Sequence, residues 1–108
     1  MDYHFTSDQI DLQLMTREFA EKELIPIAAE YDHKSEFPME AFKKAVTMGL
    51  TCLDLPEEWG GAGVDLLTTA LIREELSRGD AGFSSAGGAC GLGFKPINFA
   101  GTEEQKRK

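Results

Sequence analysis

The chain has 108 residues, with 19 Asp and Glu against 11 Lys and Arg, and a formal net charge of −8. That length suits one small domain with a modest core, and the negative field opposes phosphate backbones and anionic lipid surfaces, which excludes nucleic acid as a natural partner. Two cysteines, Cys52 and Cys90, are too few and too far apart for a disulfide framework or a CxxC pair. The N-terminus has no secretory-signal pattern and no stretch approaches ~18 apolar residues, so the sequence predicts a soluble, cytoplasmic protein with no membrane insertion.

The first helix is marked at its start by Thr6 and Gln9 at capping-box spacing, with Phe5 and Ile10 placed for a hydrophobic staple. Ile10, Leu14, Met15, Phe19, Leu24, Ile27 and Ala28 recur at helical period and carry the helix to about Asp32. Pro26 lies inside it and removes the donor for the Lys22 carbonyl, so one kinked helix is expected. A second helix starts at Pro38 and stops at Gly49, with Met39, Phe42 and Val46 as its inner face. "LTCLDL" is a short strand or an extended connector, and "PEEWGGAGVD" is a turn-rich loop anchored by Trp59. Asp65 then caps a third helix ending at Gly79, with Leu67, Ala70, Leu71, Glu74 and Glu75 at amphipathic spacing.

The next stretch, Gly79 to Ile97, holds six glycines in nineteen positions. Each glycine costs a helix roughly 1 kcal/mol. Against that stand Asp80 as a cap and Phe83, Ala86, Gly87, Cys90, Phe94 and Ile97 spaced by three and four, which together predict a fourth helix of about four turns, slim enough for a close neighbour. A phosphate loop is excluded, because Phe94 separates Gly93 from Lys95 and Pro96 takes the place of both the hydroxyl and the third dinucleotide glycine. Gly101 ends the helix, and Thr102 with Gln105 opens a fifth that the sequence does not complete, so the chain reads as a piece of a larger protein.

No histidine or cysteine pair has metal-ligand spacing, Ser84 and Ser85 sit in no nucleophile elbow, and the adjacent pairs Glu57–Glu58 and Glu74–Glu75 read as solvated faces. No catalytic residue is assigned. Lys95 and Lys106 read as surface charges rather than as phosphate contacts.

In order and spacing, "FAEKELIPIAAEYD", "LPEEWGGAGVD", "REELSRGDAGFSSAGG" and "PINFAGTEEQKRK" resemble the N-terminal helical domain of acyl-CoA dehydrogenases across essentially the whole chain. The resemblance implies an all-α, up-and-down domain over residues 1–108, four helices plus the start of a fifth. It implies a homotetrameric FAD enzyme of fatty acid β-oxidation. In the reaction so implied, a carboxylate would take the α proton of an acyl-CoA, FAD would accept the β hydride, and electrons would pass to an electron-transferring flavoprotein. The base and nearly all FAD contacts lie in later domains, so this segment alone is expected to be inactive. Its implied contribution is one wall of the acyl pocket, lined by Ser84, Ser85, Gly88, Ala89 and Leu92. Relatives with shorter-chain preference often carry a bulkier residue at the Gly88 position, so glycine there implies room for a medium or longer acyl chain. Acyl-CoA oxidases and related flavin monooxygenases share this fold and are the first alternative. A free-standing helical interaction module is the second.

Overall fold

The computed structural model describes residues 3–108. Thr6 caps α1 (Ser7–Phe19): its hydroxyl accepts the Gln9 backbone N–H at 3.2 Å, while Gln9 Oε1 accepts the Thr6 N–H at 3.0 Å. Both halves of the capping box are therefore made. The interruption expected at Pro26 takes the form of a wide turn. Ala20–Leu24 is a π-helical turn, closed by the Ile25 N–H donating to the Ala20 carbonyl, and α2 (Ile25–Lys34) resumes with Pro26 in its first turn. A proline there removes a donor that a helix start does not use. The inward stripe is narrower than its periodicity suggests. Phe19, Ala20 and Leu24 are buried, but Ile10 and Leu14 are exposed.

α3 (Met39–Thr47) begins one residue later than expected, with Pro38 at the N-cap rather than the first helical position. The inner face is not Met39, Phe42 and Val46. Ala41 and Ala45 are buried, Phe42 is half-buried, and Met39 and Val46 are each about half exposed. The helix meets the core along its alanine edge, because small side chains let its backbone come close, and bulk at Met39 and Val46 is left outside. Gly49 ends α3 in the left-handed region at φ +74, with the Leu50 N–H donating to Ala45 and the Gly49 N–H to Val46. This is a Schellman stop. No atom lies within 4 Å of where a Cβ on Gly49 would stand, so Gly49→Ala should cost only the left-handed conformation, about 1 kcal/mol. A fall in the denaturation midpoint at unchanged m-value checks this.

The connector that follows contains no strand among the described residues. Leu50 and Leu53 are buried, Glu57–Trp59 makes one 3₁₀ turn, and the two limbs are tied by Ala62 N–H to Cys52 O and Val64 N–H to Leu53 O. Asp65 then caps α4 (Leu66–Gly79), accepting the Thr68 N–H at 2.7 Å. Its buried stripe is Thr68, Leu71, Ile72, Glu75 and Leu76, while Leu67, Ala70 and Glu74 are exposed. α4 packs against α1, the π turn and α5 (Ala81–Ala100), and is joined to α5 by Asp80 alone. Gly79 makes that approach possible, since a Cβ there would lie 3.0 Å from the Ala20 Cβ. α6 (Glu103–Arg107) follows Gly101 with its own Thr102–Gln105 capping box.

The domain measures 42 × 38 × 21 Å. Its thin dimension is about two helix diameters. The architecture is the expected all-α, up-and-down one, and helices in such a layer each keep one face outward. No helix of the described residues is long and apolar enough to cross a membrane.

Candidate functional site

Asp80 starts α5 by accepting the Phe83 N–H at 2.9 Å. Phe83 is buried and stacks on Phe37 at 5.9 Å between ring centroids, with Phe42 at 6.1 Å and Phe19 at 6.2 Å around it. Three other elements thus hold the first turn of the helix. From there α5 runs 20 residues, through Pro96, which is longer than the four turns expected.

Only Phe83, Ser84 and Gly87 are buried along α5. Phe94 and Ile97, expected inside, are more than 40% exposed; they share a shallow pocket with Leu55 and Trp59 of the connector and Lys106 of α6. On the opposite side, Ser85, Ala89, Leu92, Pro96 and Phe99 fall within an arc of roughly 80° at 100° per residue. All five are exposed, Leu92 at 75% and Phe99 at 83%. The only charged residue of the helix, Lys95, is drawn off this face to Asp54 at 2.6 Å. That bond holds the Asp54 carboxyl below the usual aspartate range.

The five residues expected to line a wall therefore divide. Ser85, Ala89 and Leu92 share the outward face. Ser84 turns inward, its hydroxyl donating to the Arg73 carbonyl at 3.4 Å. Gly88 lies at the edge, beside the Arg73 side chain. Arg73 Nη1 donates to the Ser84 carbonyl at 2.8 Å, and Nη2 donates to the Thr51 carbonyl at 3.1 Å and the Gly87 carbonyl at 3.5 Å. A Cβ on Gly91 would stand 3.2 Å from an Asp54 oxygen. Glycines 87, 88 and 91 thus seat polar side chains of the domain itself along one flank. A polar residue reaching a helix through its glycines is a tertiary contact, and Arg73 looks in sequence like any surface charge.

Glu75 is the second residue that periodicity misassigns. Far from being solvated, it is 3% exposed. Its carboxylate accepts Arg17 Nη2 at 2.6 Å, Arg17 Nε at 3.2 Å, Gln13 at 3.2 Å and Arg78 Nε at 3.2 Å. These bonds, led by Arg17, hold its pKa below the ordinary glutamate value although burial opposes them. The cluster ties α1 to α4 and lies in the core interface rather than on α5.

A groove of about 510 Å³ opens between α2 and the start of α5, lined by residues including Ala28, Tyr31, Asp32, Phe37, Ala81 and Gly82. None of the five expected wall residues lies on it. Cys52 and Cys90 are free thiols, and no cluster of three His, Cys, Asp or Glu side chains suited to a metal occurs among the described residues. Nor do the residues present form a flavin site by themselves. The α5 glycines lie in helix rather than in a phosphate turn, and Lys95, Lys106 and Lys108 are each paired with a carboxylate.

The family described as "Acyl-CoA dehydrogenase, N-terminal domain" matches residues 6–108. The chain is 43% identical to a short-chain specific acyl-CoA dehydrogenase of Clostridium acetobutylicum, over all of this chain and 29% of that protein. Butyryl-CoA dehydrogenase from Megasphaera elsdenii superposes with a TM-score of 0.87 at 35% identity, covering 99% of this chain and 29% of the other. A chain in the solved structure of the electron transferring flavoprotein of Acidaminococcus fermentans gives the same TM-score, 0.87, at 37% identity, over 99% of this chain and 28% of that one. The chain thus spans less than a third of these relatives, and the part it spans is the helical layer just described, in the same order. It belongs to the acyl-CoA dehydrogenase family, as the N-terminal domain.

Proposed function

We propose that residues 1–108 are the N-terminal domain of a larger FAD-dependent enzyme that removes hydrogens from the α and β carbons of an acyl-CoA thioester, and that α5 forms one wall of its acyl pocket. The observation that carries this reading is the outward face of α5. Over about four turns, from Ser85 to Phe99, it presents small and apolar side chains and no charge, a surface that methylenes can cover at about 0.8 kcal/mol each. Ser85, Ala89 and Leu92 would touch the acyl chain, Gly88 would border it, and Ser84 would support the wall from behind through its bond to Arg73. FAD, held by parts of the protein outside this chain, would accept the hydride. The residues here bind and exclude water; none is placed to move a proton. By the family reading the full-length protein is a cytoplasmic homotetramer of fatty acid β-oxidation that passes electrons to an electron-transferring flavoprotein.

The test is anaerobic mixing of the full-length protein with butyryl-CoA, following flavin absorbance. Bleaching that is reversed by an electron-transferring flavoprotein supports a dehydrogenase, whereas reversal by oxygen alone indicates the oxidase alternative. A protein that purifies without flavin and oxidises no acyl-CoA sinks the reading. Ala89→Phe should raise KM about tenfold without moving the thermal midpoint, because its side chain fills the outward face and no internal contact. Steady-state kinetics beside a melting curve check this.

A further inference from the structure

We propose that Arg73 is a specificity-determining residue of this wall: its guanidinium, seated against Gly88, closes the acyl pocket at that point and confines it to short acyl chains. The inference rests on the reading of α5 as an acyl-pocket wall and adds the residue that sets its depth. A Cβ on Gly88 would lie 3.0 Å from Nη1, 3.2 Å from Cζ and 3.5 Å from Nη2 of Arg73. The space left by the missing side chain therefore contains a guanidinium, so glycine at position 88 does not leave the room for a medium or longer acyl chain that it implies in sequence, and the bulk that another residue could supply there comes from α4 instead.

The group is fixed where it lies. Its bonds at 2.8, 3.1 and 3.5 Å run to the carbonyls of Ser84, Thr51 and Gly87, on α5 and on the connector. A planar fork with several donors can satisfy acceptors on two elements at once, which a lysine could not do as well. Among the described residues Arg73 has no carboxylate partner; Asp54, which feels its charge, is itself bound to Lys95. An acyl chain long enough to reach Gly88 would meet a half-buried cation. Pushing it aside would strip carbonyl bonds, and covering it would desolvate a charge to which no carboxylate is bonded. The flank at Gly88 thus repels methylenes, while the face of Ser85, Ala89 and Leu92 accepts them.

The test uses the full-length flavoenzyme and measures kcat/KM for butyryl-CoA, hexanoyl-CoA and octanoyl-CoA in the wild type, R73A and R73M. A methylene admitted to an apolar site is worth about fourfold, so two of them should raise the hexanoyl-to-butyryl ratio of R73A about fifteenfold. R73M, which removes the charge and keeps much of the volume, should raise it about threefold. A ratio unchanged within twofold in both variants, with flavin content and thermal midpoint preserved, overturns the assignment. So does a uniform fall in kcat at every chain length, which would give Arg73 a purely structural part. If R73A does not fold, R73M decides by the same criterion. A wild type that oxidises no acyl-CoA of any length refutes the flavoenzyme reading itself, a result distinct from an active enzyme whose chain-length profile ignores Arg73.

Discussion

Gly61→Ala should cost the domain about 3 kcal/mol or more, at or beyond the upper end of ordinary overpacking. The added Cβ would overlap the Leu55 carbonyl and stand 2.5 Å from the Leu55 Cβ. Backbone atoms cannot swing away as a side-chain tip can. Relief requires the two limbs of the connector to separate, and those limbs are joined on either side of the clash by Gly61 N–H to Pro56 O, Gly63 N–H to Leu55 O and Val64 N–H to Leu53 O. Separating them withdraws Leu53 from the core and loosens the Thr51 carbonyl that Arg73 grips. Chemical denaturation should show a much lower midpoint, and amides of residues 50–64 should exchange faster than those of α1. An unfolding free energy within 1 kcal/mol of wild type would show that the connector yields freely.

Glu75→Ala should destabilise by about 2 kcal/mol, the range for charge-assisted bonds lost from a buried carboxylate, moderated because Arg17 and Arg78 keep access to water. Glu18, Glu30 and Glu40, each in an exposed pair on its own helix, should give no measurable change on the same substitution. The effect also has a pH signature. Because the folded-state pKa of Glu75 is depressed, its contribution is fully present above the unfolded glutamate value, about 4.3, and is lost as pH falls through the folded value. Wild type should therefore lose its advantage over Glu75→Gln below about pH 4. A constant difference from pH 7 to pH 3 would mean that the side chain acts by shape and not by charge.

The features that sequence predicts best are those whose chemistry closes within a few residues. Thr6 with Gln9, Asp65, Asp80, and Thr102 with Gln105 all act over three positions, and each makes the backbone bond expected of it. Gly49 does the same at the other end of a helix. Faces are harder to predict, because what counts as inward depends on the neighbour: α3 buries alanines and exposes Met39 and Val46, which hydrophobicity alone orders the other way. Glu75 and Arg73 were illegible for a related reason. The partners of Glu75 on α1 lie 58 and 62 residues away, and one anchor of Arg73 is a carbonyl of the connector. Of the expected wall, the outward position of Ser85, Ala89 and Leu92 follows from helical period, whereas the surroundings of Ser84 and Gly88 depend on what α4 sends across.

α2 buries no residue of its own, and the helix it extends passes through the π turn without ending. A ten-residue segment in that position could not start itself, since the first turn of an isolated helix is unfavourable by a factor of about a thousand. It inherits a nucleus from α1 instead. The arm that walls the groove beside Ala28, Tyr31 and Asp32 is therefore only as well populated as the junction behind it, where Ala20 and Leu24 lock against Gly79. Order on this edge of the molecule is borrowed from the α1–α4 interface, so whatever loosens that interface reaches the groove without touching any residue in it.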